Sequence, residues 1–188
     1  MMEGELRTTA VDRAYRDHRD DVYRVAYAIL RDNEEAVDAT QETFARAFER
    51  WDQYDPDRPL RAWLHGIVTH EALDRLRRRQ VHRLALPNLT HLALGARSQA
   101  EPDNPERIVS RRQVIDQALS GLKPAARAAL VLRHYYGYSY AEIATQLRST
   151  PGTVGSLLSR AHAILRADIV SAAGSEAPST DRPRRAAR

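Results

Sequence analysis

The stretch that decides the fold is residues 138–165, YSYAEIATQLRSTPGTVGSLLSRAHAIL. Ser139, followed three residues later by Glu142, predicts a capping box at the start of a short helix. Thr150 and Pro151 predict the start of a second helix, because proline at the first helical position gives up no hydrogen bond. Apolar residues at helical spacing give both helices one buried face: Ile143, Ala144, Leu147, Val154, Leu158, Ala161 and Leu165. Two short helices joined by a tight turn predict a helix-turn-helix that binds DNA.

The distribution of charge along the chain agrees with DNA binding by this segment. The 188 residues carry 29 basic and 25 acidic side chains, a formal net charge of +4. Residues 109–170 hold 8 basic and 3 acidic side chains, whereas residues 1–60 hold 9 basic and 15 acidic ones. A plain helical hairpin would show the same caps and apolar face. The caps, the spacing and the positive charge together favour a nucleic-acid-binding domain.

Composition excludes several classes of protein. The chain has no cysteine, which excludes disulfides, thiolate zinc sites and cysteine nucleophiles. No apolar run approaches the length of a membrane span, and the N-terminus lacks the apolar core of a signal peptide. We therefore expect a cytoplasmic protein with no membrane insertion. His65, His70 and Glu71 do not have a recognised metal-binding spacing, so we expect no metal, no cofactor and no enzymatic activity.

The rest of the chain also has the pattern of helices. Residues 11–30 form one amphipathic repeat, and Asp32 with Glu35 predicts the start of a second helix. The second helix is expected to bury one stripe, formed by Val37, Thr40, Phe44, Ala47, Phe48 and Trp51. A third helix begins at Leu60, after the loop DQYDPDRP of residues 52–59, and ends in three consecutive arginines.

The predicted fold class is all-α, with two small helical domains joined by a flexible linker and a helix-turn-helix in the C-terminal domain. Prolines and asparagines break the helical pattern in the linker, whose 26 residues from 81 to 106 span at most about 90 Å when extended. That length can bridge two turns of duplex at about 34 Å each. The expected divisions are a disordered N-terminus (1–10), a first domain (11–80), the linker (81–108), the helix-turn-helix domain (109–170) and a disordered tail (171–188).

Two separated segments together resemble bacterial RNA polymerase sigma factors of the extracytoplasmic-function group. GYSYAEIA (137–144) and GTVGSLLSRA (152–161) resemble that family's C-terminal helix-turn-helix domain. AVDATQETF (36–44), AWLHGI (62–67) and ALDRLRR (72–78) resemble its other conserved domain, in the same order. The resemblance implies a dissociable polymerase subunit that selects promoters. The first domain would dock on the polymerase and open the upstream melting element, and the second would read the distant upstream element as duplex.

The resemblance and the charges together assign candidate binding residues. Asp38, Gln41 and Glu42 face away from the apolar stripe of the second helix, and an acidic face suits a protein partner with basic helices. A solvated helix face is the alternative. The candidate residues for the melting element are Tyr54, Arg58, Arg61, Trp63, His70, Arg75, Arg77 and Arg78. Core packing remains an alternative role for Trp63, and the arginines also complement the helix dipole.

The candidate residues for the distant element are Arg148, Ser149, Thr150, Thr153, Ser156 and Arg160. Several positions depart from the family pattern. His70 stands where asparagine is usual and Arg148 where a turn glycine is common. Gly155, Leu157 and His162 stand where basic residues are common. Fewer phosphate contacts predict weaker and less salt-sensitive binding by this domain.

The implied partners are core RNA polymerase and promoter DNA, with an anti-sigma factor as a further candidate. We expect a monomer when the protein is free, because the sequence offers no heptad or extra helix for a dimer seam. Two alternatives stay open. One is a helix-turn-helix regulator that acts without polymerase, and the other is a sigma-like module that mainly binds another protein.

Overall fold

The computed structural model describes residues 2–85 and 119–175, and their regular structure is helical. The N-terminal part contains α1 (Met2–Leu30), α2 (Asn33–Glu49), a 3-10 turn (Trp51–Gln53) and α3 (Leu60–Ala85). The C-terminal part contains α4 (Pro124–His134), α5 (Tyr140–Gln146) and α6 (Pro151–Ser175). The predicted all-α class is confirmed.

Three boundaries differ from the expected ones. Helix α1 begins at Met2, so the expectation of disorder is wrong for residues 2–10. The Arg7 guanidinium lies 2.5 Å from an Asp52 carboxylate oxygen, a long-range ion pair between this segment and the loop after α2. Helix α3 continues five residues into the expected linker, to Ala85, and α6 continues to Ser175. The rest of the predicted linker and tail lies outside the described residues.

Helices α1, α2 and α3 pack on one another to form the first domain. The Asp32 carboxylate accepts a hydrogen bond from the Glu35 backbone N–H at 3.0 Å and caps α2 as expected. The predicted stripe of α2 is only partly right. Thr40, Phe44 and Ala47 are buried, whereas Val37 and Phe48 are 42% and 41% exposed. Helical spacing fixes which side chains share a face, but only the positions of α1 and α3 decide how far round α2 that face is covered.

Helices α4, α5 and α6 form the second domain, and its turn has the predicted local structure. The Ser139 hydroxyl accepts from the Glu142 N–H at 3.2 Å, and the Glu142 carboxylate accepts from the Ser139 N–H at 2.7 Å. The Thr150 hydroxyl accepts from the Thr153 N–H at 3.2 Å at the start of α6. Buried side chains of α5 and α6 join the two helices, among them Ile143, Val154 and Leu158. The helix-turn-helix is therefore confirmed.

The two domains also contact each other, because α1 packs against α4 and α3 packs against α4 and α5. Arg127 of α4 is the most buried cation at this junction, with 7% of its surface exposed. Its guanidinium donates to the carbonyl oxygens of Ala28 at 3.0 Å and Ile29 at 2.5 Å. These carbonyls belong to the last turn of α1, where helical partners are missing, so Arg127 caps that helix from the other domain.

Candidate functional site

A cavity of about 440 Å³ lies between the two domains. One wall comes from the loop after α2 and from α3, with Tyr54, Arg58, Trp63 and His70 among its residues. The other wall comes from the second domain, chiefly from α5. The structure thus brings together four of the residues that the sequence assigned to the melting element.

The first wall of the cavity is an aromatic cluster. The Trp63 ring lies 5.2 Å from the Tyr54 ring and 5.9 Å from the Trp51 ring, measured between centroids. The Tyr54 hydroxyl donates to the Arg58 backbone oxygen at 2.9 Å, which holds the loop closed. Trp63 is half-buried, so it both packs on the core and lines the cavity. Rings in such a cluster offer flat surfaces on which an unstacked base can stack.

His70 lines this cavity and is half-buried. Burial lowers the pKa of its imidazole, and the nearby positive charge of Arg148 lowers it further. The side chain is therefore neutral at pH 7. Its Nε2 atom is buried and has no hydrogen-bond partner among the described residues, so its hydrogen-bonding capacity is unused in this arrangement.

The arginines at the end of α3 differ in accessibility. Arg75 lies 2.6 Å from the buried carboxylate of Glu71 and is only 25% exposed, so its guanidinium is occupied by an internal ion pair. Arg77 pairs with Asp74 at 2.8 Å but is 74% exposed. Arg78 lies 3.5 Å from Glu71 and is 67% exposed. The exposed Arg77–Asp74 pair is weak and the Arg78–Glu71 contact is long, so Arg77 and Arg78 remain available to phosphates.

The face of α2 that was assigned to a protein partner is open. Asp38 and Gln41 are exposed, and the exposed apolar side chains of Val37 and Phe48 belong to the same helix. Glu42 is half-buried and accepts a hydrogen bond from Arg46 at 2.8 Å. The surface is therefore acidic with apolar positions, a combination that suits a basic and partly apolar protein partner.

The residues assigned to the distant element lie on the turn before α6 and on its first turns. Arg148, Thr153, Ser156 and Arg160 are exposed. Thr150 is also exposed, but its hydroxyl caps α6, and Ser149 is half-buried with its N–H donated to the Ala144 oxygen at 2.9 Å. Arg148 has a left-handed φ of 48°, a conformation that favours glycine. This explains in physical terms why glycine would suit that position.

Sequence reasoning missed three buried groups that shape these surfaces. Glu71 is 2% exposed and also lies 2.8 Å from Arg46 of α2, so one carboxylate joins α2 to the arginines of α3. Its spacing of four residues from Arg75 was a readable signal. His65 is fully buried, and burial lowers the pKa of its imidazole to about 4. The contact of Arg127 with α1 gave no local signal, because its two acceptors there lie 98 and 99 residues away in the sequence.

Two negative findings concern the described residues. Among them, no group of three or more His, Asp or Glu side chains is arranged to hold a metal ion. No helix of the described segments is both long enough and apolar enough to cross a membrane.

Two family models match the chain and follow the division seen in the structure. Residues 14–81 match Sigma-70 region 2, and residues 112–165 match Sigma-70 region 4. The first match covers the domain of α1 to α3, and the second covers the helix-turn-helix. The fold and these matches define the class of the protein as a sigma factor of the Sigma-70 type.

Similar proteins narrow the class further. The chain is 39% identical over 159 residues to the ECF RNA polymerase sigma factor SigE of Mycolicibacterium smegmatis, a match that spans 82% of this chain and 60% of that protein. It is 32% identical over 156 residues to ECF sigma factor SigM of Mycobacterium tuberculosis, spanning 83% of this chain and 75% of SigM. The chain belongs to the extracytoplasmic-function group of RNA polymerase sigma factors.

A solved structure has the same fold. It is the sigma factor RpoE of Bartonella quintana in complex with the anti-sigma factor NepR, with a TM-score of 0.70. The match covers 91% of this chain and 98% of RpoE at 20% sequence identity. At this identity the likeness concerns the fold alone.

Proposed function

We propose that this chain binds core RNA polymerase and directs promoter-specific initiation. Its first domain opens the upstream melting element, and its helix-turn-helix reads the distant element. The observation that carries the proposal is the cluster of the Tyr54 and Trp63 rings, which lies on the same domain as the exposed arginines of α3. A stacking surface and phosphate-binding cations on one domain are what capture of single-stranded DNA needs.

The direct test is reconstituted transcription. The purified chain is added to core RNA polymerase with a library of genomic promoter fragments. We expect specific transcripts that require both components. Binding to an operator without polymerase would instead support the regulator, and an absence of transcripts at every promoter would support the protein-binding module.

The proposal places the protein in the cytoplasm, where polymerase acts, and includes an anti-sigma factor among the partners to test.

Polymerase docking is proposed at the open face of α2. Asp38 is exposed and makes no ion pair in the described structure, so its charge faces a partner directly. Reversing this charge with Asp38→Lys should weaken binding to core polymerase about tenfold, or ~1.4 kcal/mol. The double variant with Glu42→Lys should weaken it further, although this second change also disturbs Arg46 and through it Glu71.

Binding of labelled protein to core polymerase, measured by fluorescence anisotropy, checks this prediction. Asp20→Lys is the matched control, since Asp20 is an exposed acidic residue of a different helix, α1. DNA binding by the isolated chain should not fall in any of these variants. An Asp38→Lys protein that binds polymerase as well as the wild type would remove α2 from the docking surface.

Arg148 is proposed to contact the distant element. Its left-handed φ of 48° costs about 1 kcal/mol for a residue with a side chain. The Arg148→Gly variant should therefore keep its stability or gain up to ~1 kcal/mol, while duplex affinity falls about fivefold through the loss of one cation.

Melting temperature and affinity for a selected promoter duplex are measured together, at two salt concentrations. Arg166→Ala serves as the control for loss of charge, because Arg166 is exposed further along α6 and alanine keeps the helix. A parallel fall in stability and affinity would assign Arg148 a structural role, and unchanged affinity would remove it from the DNA surface.

A further inference from the structure

Two histidine side chains from different helices meet on the surface of the second domain. The Nε2 atom of His134, the last residue of α4, lies 2.9 Å from the Nε2 atom of His162 in α6. The ring centroids are 5.0 Å apart and the ring planes are inclined by 65°, so the rings meet through their Nε2 atoms rather than by stacking. Spacing in the sequence gives no sign of this pair, because the two residues lie 28 positions apart.

The packing of α4 on α6 fixes the positions of both histidines. Leu132 of α4 lies two residues before His134, Ala161 of α6 directly precedes His162, and both of these apolar side chains are buried. His134 itself is exposed and His162 is half-buried, so solvent and small ions can reach the two nitrogen atoms. A pair held by the fold in this way binds a ligand with little further ordering of the chain.

The separation of the two nitrogen atoms fits a shared metal ion. Imidazole nitrogens lie about 2.0–2.1 Å from a bound metal. Two such nitrogens at neighbouring corners of a square are then about 2.9 Å apart, whereas at two corners of a tetrahedron they are about 3.4 Å apart. The observed separation of 2.9 Å corresponds to the right angle, which is typical of Cu²⁺ and Ni²⁺ with nitrogen and oxygen ligands.

A hydrogen bond between the two imidazoles is the alternative role of this pair. It requires a proton on one Nε2 atom and none on the other, and at an accessible position it adds little stability because water competes for both groups. A metal ion uses the lone pairs of both Nε2 atoms, and the chain has no cysteine whose thiolate could compete for it. Arg133 and Arg166 are near neighbours in the sequence, and their positive charge favours micromolar rather than tighter affinity.

We propose that His134 and His162 form a binding site for a divalent ion of the copper or nickel type, which joins α4 to α6 through both Nε2 atoms. Among the described residues, no third His, Asp or Glu side chain is placed to complete the site, so water supplies the remaining ligands.

The bound ion also has a consequence for DNA, and this part rests on the proposed function of the helix-turn-helix. His162 lies two residues after Arg160, a candidate contact to the distant element. A helix is about 10 Å across, so an ion at His162 lies within about one Debye length of the DNA surface of α6. Its positive charge attracts phosphates, and metal binding therefore strengthens the affinity for duplex.

Titration of the purified chain with Cu²⁺ tests the site. Calorimetry gives the affinity, and electron paramagnetic resonance of the bound Cu²⁺ shows hyperfine splitting from the coordinating nitrogens. We expect His134→Gln and His162→Gln each to lower the affinity at least about tenfold and to remove one coordinating nitrogen. His82→Gln is the matched control, because His82 is an exposed histidine of α3, and it should bind Cu²⁺ as the wild type does.

Affinity for a selected promoter duplex, measured with and without Cu²⁺, tests the consequence for DNA. The affinity of the wild type should rise about threefold when Cu²⁺ is added. His162→Arg puts a permanent positive charge at the same position, so it should bind the duplex more tightly than the metal-free wild type and should not respond to Cu²⁺. His134→Gln controls for direct effects of Cu²⁺ on the DNA and should not respond either.

The outcomes separate the parts of the proposal. Unchanged Cu²⁺ affinity in either His134→Gln or His162→Gln would leave a hydrogen-bonded pair only and overturn the shared site. A confirmed site with a duplex affinity that Cu²⁺ does not change overturns the consequence for DNA. Failure of the proposed sigma function would instead appear as an absence of polymerase-dependent transcripts, and it leaves the Cu²⁺ titration untouched.

Discussion

The Arg127→Met variant is expected to lose about 3 kcal/mol of its free energy of unfolding. The wild-type guanidinium donates to four carbonyl oxygens, two at the end of α1 and two in the segment before α4, those of Leu119 at 3.4 Å and Leu122 at 2.6 Å. A hydrogen bond to a charged group contributes about 1.5–3 kcal/mol, and a buried carbonyl left without a donor adds a further cost. Methionine fills much of the same space, so the loss reports on the hydrogen bonds rather than on a cavity.

Urea denaturation followed by circular dichroism measures this loss. Arg127→Lys should recover part of the stability, because one ammonium group keeps the charge but cannot reach all the acceptors that the planar guanidinium does. Arg166→Met is the control on an exposed arginine and should change stability by less than about 0.5 kcal/mol. If Arg127→Met unfolded at the same urea concentration as the wild type, the four carbonyl oxygens would have found other partners.

The second large effect is a loss of stability in acid that depends on His65. This side chain is fully buried, and burial lowers the pKa of its imidazole to about 4 in the folded protein, against an ordinary value of 6.5. Between these two values the unfolded chain binds more protons than the folded one. The contribution is therefore fully present above pH 6.5 and is lost as pH falls towards 4. The difference between the two pKa values corresponds to about 3 kcal/mol.

The measurement is a series of urea unfolding curves from pH 7.5 to pH 4. His65→Gln is the comparison, because glutamine can still bond to the Tyr138 hydroxyl but does not titrate. The free energy of unfolding of the variant should fall less steeply as the pH is lowered. The difference in this free energy between the wild type and the variant should therefore become smaller towards pH 4. If the free energies of unfolding of the two proteins fell in parallel with pH, the pKa of the His65 imidazole would not differ between the folded and unfolded states.

The helix-turn-helix was predictable because its determinants are local. The capping box of Ser139 and Glu142 and the start of α6 at Thr150 depend on residues three apart, and both formed as expected. The same holds for Asp32 at the start of α2. A capping bond needs only the backbone of its own helix, so no distant element can change the partner.

Side chains whose partners come from elsewhere were harder to predict. The Val37 and Phe48 assignments failed because a helical stripe shows a direction but not the width of the surface that neighbours cover. The sequence assigned Arg75 to the melting element, yet Arg75 pairs with Glu71 four residues earlier, a carboxylate that lies buried against Arg46 of α2. Of Arg75, Arg77 and Arg78, one is thus an internal cation and two are accessible, a distinction that depends on how far each side chain is exposed in the folded domain.

The sequence alone determined the helical class, the two domains and the capped turn, since periodicity and capping act over a few residues, and it proposed candidate residues for polymerase and DNA. Only the tertiary structure decided which of these residues are free. It packed α5 against α3, set Arg127 on the carbonyls of α1 and placed the melting cavity between the domains. The hydrogen bonds of Gln146 with Ala62 and of Arg127 with Ala28 join residues 84 and 99 positions apart, and no local pattern specifies a pairing over such distances.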